Sequence, residues 1–132
     1  PLFFSAPGDL DFIPTLTDLT IYIPILGPCI HDSRIWKISK VGSGLWFVST
    51  RGIAEDLYSK FRIERLEGEH AYDIYSFKFC PNVYICYPVG TFVDAEGTEV
   101  LAIGDGIDEP YYVRFHKAST FPLKMYQDLS GV

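Results

Sequence analysis

Apolar and polar positions alternate with a period of two through most of the chain, which is the pattern of half-buried strands. Thr17 to Ile23 reads T-D-L-T-I-Y-I and places Leu19, Ile21 and Ile23 on one face. Phe61 to Leu66 alternates in the same way, with Phe61, Ile63 and Arg65 on one face. Further strands are expected at Ile35 to Ile38, with Trp36 inward, and at Leu45 to Thr50, Tyr72 to Phe79, Val89 to Val93, Glu99 to Ile103 and Tyr111 to His116. Pro1 to Ser5 fits a short strand or the flank of a loop. The strands are separated by turn-forming residues: Ala6-Pro7-Gly8-Asp9, Pro24 with Gly27 and Pro28, Val41-Gly42-Ser43-Gly44, Gly68-Glu69, and Gly104 to Pro110. Asp94-Ala95-Glu96-Gly97 reads as a hairpin turn with Gly97 at the residue that needs φ > 0. One helical turn fits Ile53 to Tyr58, and from Ala118 onward the chain reads as an irregular tail. About eight strands at roughly 8–12-residue spacing predict an all-β sandwich or barrel.

One stretch organises the rest. Tyr75 to Gly90 reads Y-S-F-K-F-C-P-N-V-Y-I-C-Y-P-V-G, two aromatic, alternating arms around Pro81 and Asn82. Pro presets φ and Asn bonds back to its own backbone, so both start turns. A hairpin there brings Cys80 and Cys86 within disulfide range at its neck.

A chain of 132 residues is one domain on length alone and can bury a real core. Aromatics are 16% and charged residues 21%, which speaks against coiled coil and disorder. The net charge of −6 and the lack of a basic cluster argue against nucleic acid and acidic membranes as partners. No apolar run approaches the roughly 18 residues needed to span a bilayer. Three cysteines leave one over once Cys80 and Cys86 pair. Cys29 then has a partner on another chain, is a free thiol, or is buried and reduced.

Catalytic chemistry finds no support. His31, His70 and His116 sit in no nucleophile-elbow context, so the protein is not expected to be an enzyme. C-x5-C without a C-x-x-C partner suits a disulfide better than zinc. Asp105, Asp108 and Glu109 lack the order of a calcium loop, and Gly42-Ser43-Gly44 lacks the Lys of a phosphate-cradling loop. Neither a metal nor a cofactor is implied.

These segments, taken in order, resemble the soybean-trypsin-inhibitor (plant Kunitz) family. Pro1-Leu2-Phe3-Phe4-Ser5-Ala6 approaches the family's P-V-x-F-S-P, and Thr17 to Ile23 is close to its S-T-D-L-x-I-x-F. Cys29, Ser33 and Trp36-Lys37-Ile38 are similar to C-x-x-S-x-x-W-x-V with one extra residue. Gly44 to Gly52 matches G-x-W-F-V-x-T-G-G except that Arg51 replaces a glycine. Phe61 to Arg65 corresponds to W-F-x-I-E-K, Tyr75 to Pro81 to Y-K-L-V-F-C-P, and Cys86 to Gly97 to C-x-x-V-G-I-x-x-D-x-x-G. Pro110 to Ala118 matches P-x-x-V-x-F-x-K-A at each fixed position.

The resemblance implies a β-trefoil, twelve strands in three four-strand units. It pairs Cys80 with Cys86 and assigns Cys29 to a disulfide with a cysteine in the first unit. By alignment this chain, a single domain over 1–132, supplies two units, about 1–66 and 67–118, followed by a tail at 119–132. A further segment or second chain linked through Cys29 is therefore expected. The implied function is inhibition of trypsin- or chymotrypsin-like serine proteases by a rigid, substrate-like loop at or just before Pro1, with Pro1, Leu2 and Phe3 as its flank. A seed protein of the secretory pathway, secreted or vacuolar, with its signal peptide removed, is implied as well. The alternative is a non-inhibitory member of the fold that serves storage, modifies taste or binds carbohydrate.

Overall fold

The computed structural model describes residues 2–6, 8, 12–23, 34–70, 72–117 and 127–131. Strands dominate them: β1 (Phe3–Ser5), β2 (Thr20–Tyr22), β3 (Lys37–Gly42), β4 (Leu45–Ser49), β5 (Arg62–Arg65), β6 (Tyr75–Phe79), β7 (Tyr87–Pro88), β8 (Gly90–Val93), β9 (Glu99–Gly104), β10 (Val113–Lys117) and β11 (Gln127–Gly131). The helical element among the described residues is one 3₁₀ turn, Leu57–Ser59, slightly later than the sequence suggests. Asp56 sets its start by accepting the Tyr58 N–H on Oδ1 at 3.0 Å.

Three antiparallel sheets result. β1 pairs with β2; β3-β4-β9-β8 form a second sheet; β11-β10-β6-β5 form a third, with β7 also on β6. Both larger sheets combine strands from the first and second halves of the chain, so both halves share one core. Leu19, Ile21, Ile38, Phe61, Ile63, Phe77, Phe79, Val89, Ile103 and Val113 make it up. The predicted faces hold for Leu19 with Ile21 and for Phe61 with Ile63. They end early at both places. Ile23 is exposed, and Arg65 turns outward to Asp73, whose carboxylate raises the guanidinium pKa above its ordinary value.

Trp36 packs inward as expected, edge-on to Phe61 and Phe77 at 5.9 and 5.6 Å. Gly97 has φ of +81° in the turn between β8 and β9, as the D-A-E-G pattern requires. Arg51, which stands where the resembling motif has glycine, is also left-handed at φ +74°. A side chain there is sterically disfavoured, which gives the motif's glycine a physical reason. The expected tail is partly wrong. β11 pairs with β10 from Val113↔Gly131 to Lys117↔Gln127. Its sequence, Q-D-L-S-G, has no apolar alternation, and backbone hydrogen bonding alone can recruit such a strand to an edge.

Candidate functional site

β1 and β2 are short, and what they hold is the segment between them. Phe3 faces Tyr22, Phe4 faces Ile21 and Ser5 faces Thr20. Phe3 and Tyr22 meet edge-on at 5.3 Å, and Phe4 meets Phe115 at 5.8 Å. Of the expected flank, Phe3 is thus locked into the sheet, Leu2 packs against the core, and Pro1 lies outside the described residues. Cys29 and His31 lie outside them too.

At the far end of the segment the chain is tied to β5. The Leu16 N–H donates to the Ile63 carbonyl at 2.9 Å. Leu19 and Phe61 exchange both backbone hydrogen bonds, at 2.7 and 2.9 Å. Asp18 Oδ1 accepts from Arg62 Nε at 2.8 Å, and Lys60 Nζ donates to Thr20 Oγ1 at 2.9 Å. Between these anchors the apolar side chains divide. Ala6 and Ile13 pack on the core, whereas Phe12 is 65% and Leu16 63% exposed. Leu16 has φ of +56°, uncommon for a branched apolar residue and a sign that the surrounding bonds dictate the backbone. A small cavity of about 160 Å³ lies beneath, bordered by Phe4, Ala6, Phe12, Ile13 and Leu19.

In sequence, residues 6–9 read as a breaker, and no role for the segment follows from them. The signal it left was compositional. Residues 1–33 contain no Lys or Arg, and between β1 and β2 the side chains with reach are apolar or carry a carboxylate.

The stapled hairpin forms as expected. β6 and β7 pair through Lys78↔Pro88 and Phe79↔Tyr87, and Cys80 is bonded to Cys86. Closing so short a ring stabilises the fold by about 2 kcal/mol on the chain-entropy account. Below it Tyr58 stacks between Trp46 and Phe79, at 6.0 and 6.3 Å. These rings border a recess of about 280 Å³. Among the described residues no group of three or more His, Cys, Asp or Glu is placed to hold a metal.

An all-β scaffold that ties an exposed segment at both ends can present that segment, already positioned, to a binding partner. A family model described as trypsin and protease inhibitor, that of the legume Kunitz proteins, matches residues 1–117, and the chain belongs to that family. It is a family of protease inhibitors, not of enzymes. Among solved structures, the chain is similar to CrataBL, a trypsin inhibitor from Crataeva tapia, with 29% identity and a TM-score of 0.69 over 90% of this chain and 70% of that one. Soybean trypsin inhibitor (Kunitz) is 22% identical with a TM-score of 0.69, over 89% of this chain and 69% of that one. Trypsin inhibitor 1 from Senna obtusifolia is 21% identical with a TM-score of 0.69, over 89% and 70%. A comparison with curated proteins gave no match. The fold is a β-trefoil.

Proposed function

We propose that the protein inhibits serine proteases and that the segment from β1 to β2, of which Ala6, Gly8 and Phe12 to Leu19 are described, is the docking loop. One observation carries this reading: the segment is fixed at both ends while Phe12 and Leu16 stand exposed between. A segment tied at both ends before binding has less entropy to lose on docking than a free one, so an interface of ordinary size can be tight. If the enzyme's serine cuts the loop, the β1–β2 pairing and the Leu19–Phe61 bonds hold both new ends in place, and the bond can reseal. Leu2 and Phe3 then serve as the flank that anchors the loop. A loop at or just before Pro1 is the competing placement, for which Leu2 on the core and Phe3 in the sheet would be the anchoring flank.

Specificity follows from charge. Trypsin's pocket holds a carboxylate that selects a cation, whereas chymotrypsin's is a hydrophobic slot. With no Lys or Arg before Arg34, the loop has only apolar anchors to offer, and Phe12 is the most exposed described one. Titration with chymotrypsin, subtilisin and trypsin is expected to give stoichiometric inhibition of the first two and little of trypsin. Phe12→Ala is expected to weaken the chymotrypsin complex at least tenfold, as truncation of an aromatic anchor does. Inhibition of none of the three enzymes would sink the reading, while trypsin inhibition alone would keep the function and move the site.

The same reading makes this chain two units of a three-unit trefoil, about 1–66 and 67–118. A further segment or second chain is joined through Cys29, and the molecule resides in the secretory pathway, secreted or vacuolar. Two facts support it: the chain spans about 70% of its structural relatives, and the Cys80–Cys86 pair leaves one cysteine over. Intact mass of the natural protein, before and after reduction, tests it. Release of a species carrying one cysteine is expected; a single species near 15.0 kDa in both conditions overturns it.

A further inference from the structure

The recess beneath the stapled hairpin is apolar at its floor and aromatic at its sides. Ile38, Phe79 and Ile103, from β3, β6 and β9, are the buried residues that border it. Trp46, Tyr58 and Tyr87 line it as well, and Tyr58 and Tyr87 keep 46% and 40% of their surface exposed. Its volume of about 280 Å³ is near the lower end of the roughly 300–1,000 Å³ typical of small-molecule sites.

The lining is fixed before any ligand arrives. Trp46 faces Ile103 and Leu45 faces Gly104 across β4 and β9. Tyr87 faces Phe79 across the hairpin, next to the disulfide. Tyr58 sits in the 3₁₀ turn that Asp56 caps, its ring within 13° of parallel to Trp46 and 11° to Phe79. Rings held by separate elements have little ordering left to lose on binding.

Charge then selects the occupant. Phe79, Pro81 and Tyr87 belong to the stretch from Phe79 to Val93, which has no Asp, Glu, Lys, Arg or His. Asp105 is the one formal charge among the described residues that line the recess. A Cβ on Gly44 would collide with Asp105 Oδ2, so the glycine leaves the room that the carboxylate occupies. Among the described residues no side chain donates a hydrogen bond to that carboxylate or forms an ion pair with it. Elsewhere the chain supplies its own cation to an aromatic face, with the Arg114 guanidinium 4.4 Å over Tyr72. No Lys, Arg or His does so here.

We propose that the recess binds a small organic cation, an ammonium group carried on one aryl ring or a short alkyl body. The body covers Ile38, Ile103 and Phe79, while the ammonium group lies against the aromatic faces and pairs with Asp105. An anion is disfavoured by Asp105 and by the net charge of −6. A sugar would set hydroxyls against three buried apolar side chains that offer them no partner. The recess shares no lining residue with the segment between β1 and β2, so its occupancy does not depend on which loop docks a protease.

Calorimetric titration of the natural protein with phenethyltrimethylammonium, whose charge does not vary with pH, and with neutral 2-phenylethanol tests this. Saturable binding of one cation per chain is expected, about fivefold tighter than the alcohol. Asp105→Asn should bring the two ligands within about twofold of each other, and Tyr58→Ala should weaken the cation about fivefold. Asp105 is exposed and Asn has nearly its shape, so a melting curve matching wild type is expected and separates lost charge from lost fold. Equal binding of cation and alcohol, or a preference that survives Asp105→Asn, overturns the proposal. Indifference of the cation to Tyr58→Ala puts it elsewhere and does the same. Saturable binding of methyl glucoside in place of the cation makes the recess a sugar site. No saturable binding at all, the result if the further segment expected through Cys29 fills the recess, also overturns the cation site.

Discussion

Phe61→Ala is expected to destabilise the protein by about 3–5 kcal/mol, the range for removing a fully buried aromatic ring. Phe61 has no exposed surface and packs edge-on against Trp36 and Phe79 at 5.9 and 6.2 Å. No single neighbour can collapse into the space, because each is held in a sheet or against another ring. The midpoint of denaturant unfolding, at unchanged slope, measures the loss. The effect should extend to function. Phe61 exchanges both backbone hydrogen bonds with Leu19, at the end of the proposed docking loop. A shift of β5 therefore loosens the loop, and chymotrypsin inhibition should fall even at temperatures where most molecules are folded. Stability within about 1 kcal/mol of wild type would mean that the core tolerates a cavity there, against the packing described.

The second large effect concerns a glycine. Gly104 ends β9 with φ of +120°, and a Cβ placed there collides with the carbonyl oxygen of Gly44, the same oxygen that accepts the Asp105 N–H at 2.8 Å. Gly104→Ala combines a disfavoured backbone region with a clash against main chain, which cannot rotate away. A cost of about 3 kcal/mol or more is expected, from roughly 1–2 for the conformation and the rest for displaced backbone. Gly97→Ala is the control. It shares a positive φ, +81°, but has nothing within 4 Å, so only the conformational part of about 1–2 kcal/mol should appear. Equal melting temperatures for the two variants would refute the collision argument.

Much of this scaffold was legible from period-two patterning because burial and periodicity agree along its central strands. Leu19 with Ile21 and Phe61 with Ile63 are inward pairs the alternation predicts, and Phe77 and Phe79 on the aromatic arm of the hairpin are buried as well. The pattern overran where a strand leaves its sheet, as at Ile23 and Arg65, since leaving the sheet changes the environment but not the residue types. β11 was invisible because edge pairing needs only backbone groups. The site was least legible. Phe12 and Ile13 are adjacent apolar residues, and the anchors on β1 and β5 decide that Ile13 packs inward while Phe12 does not. No local rule distinguishes them. The stapled hairpin was read correctly as a covalent ring, yet Val83, Tyr84 and Ile85 resembled any apolar strand residues until the structure placed them outside it.

That uncharged stretch from Phe79 to Val93 has a kinetic consequence. A hairpin tip without fixed charge has no field of its own to draw a partner in or turn one away. Any field that steers an encounter there comes from the rest of the chain, whose net charge is −6, and it is that charge that responds to ionic strength. A partner held there would be selected by how slowly it leaves rather than by how fast it arrives.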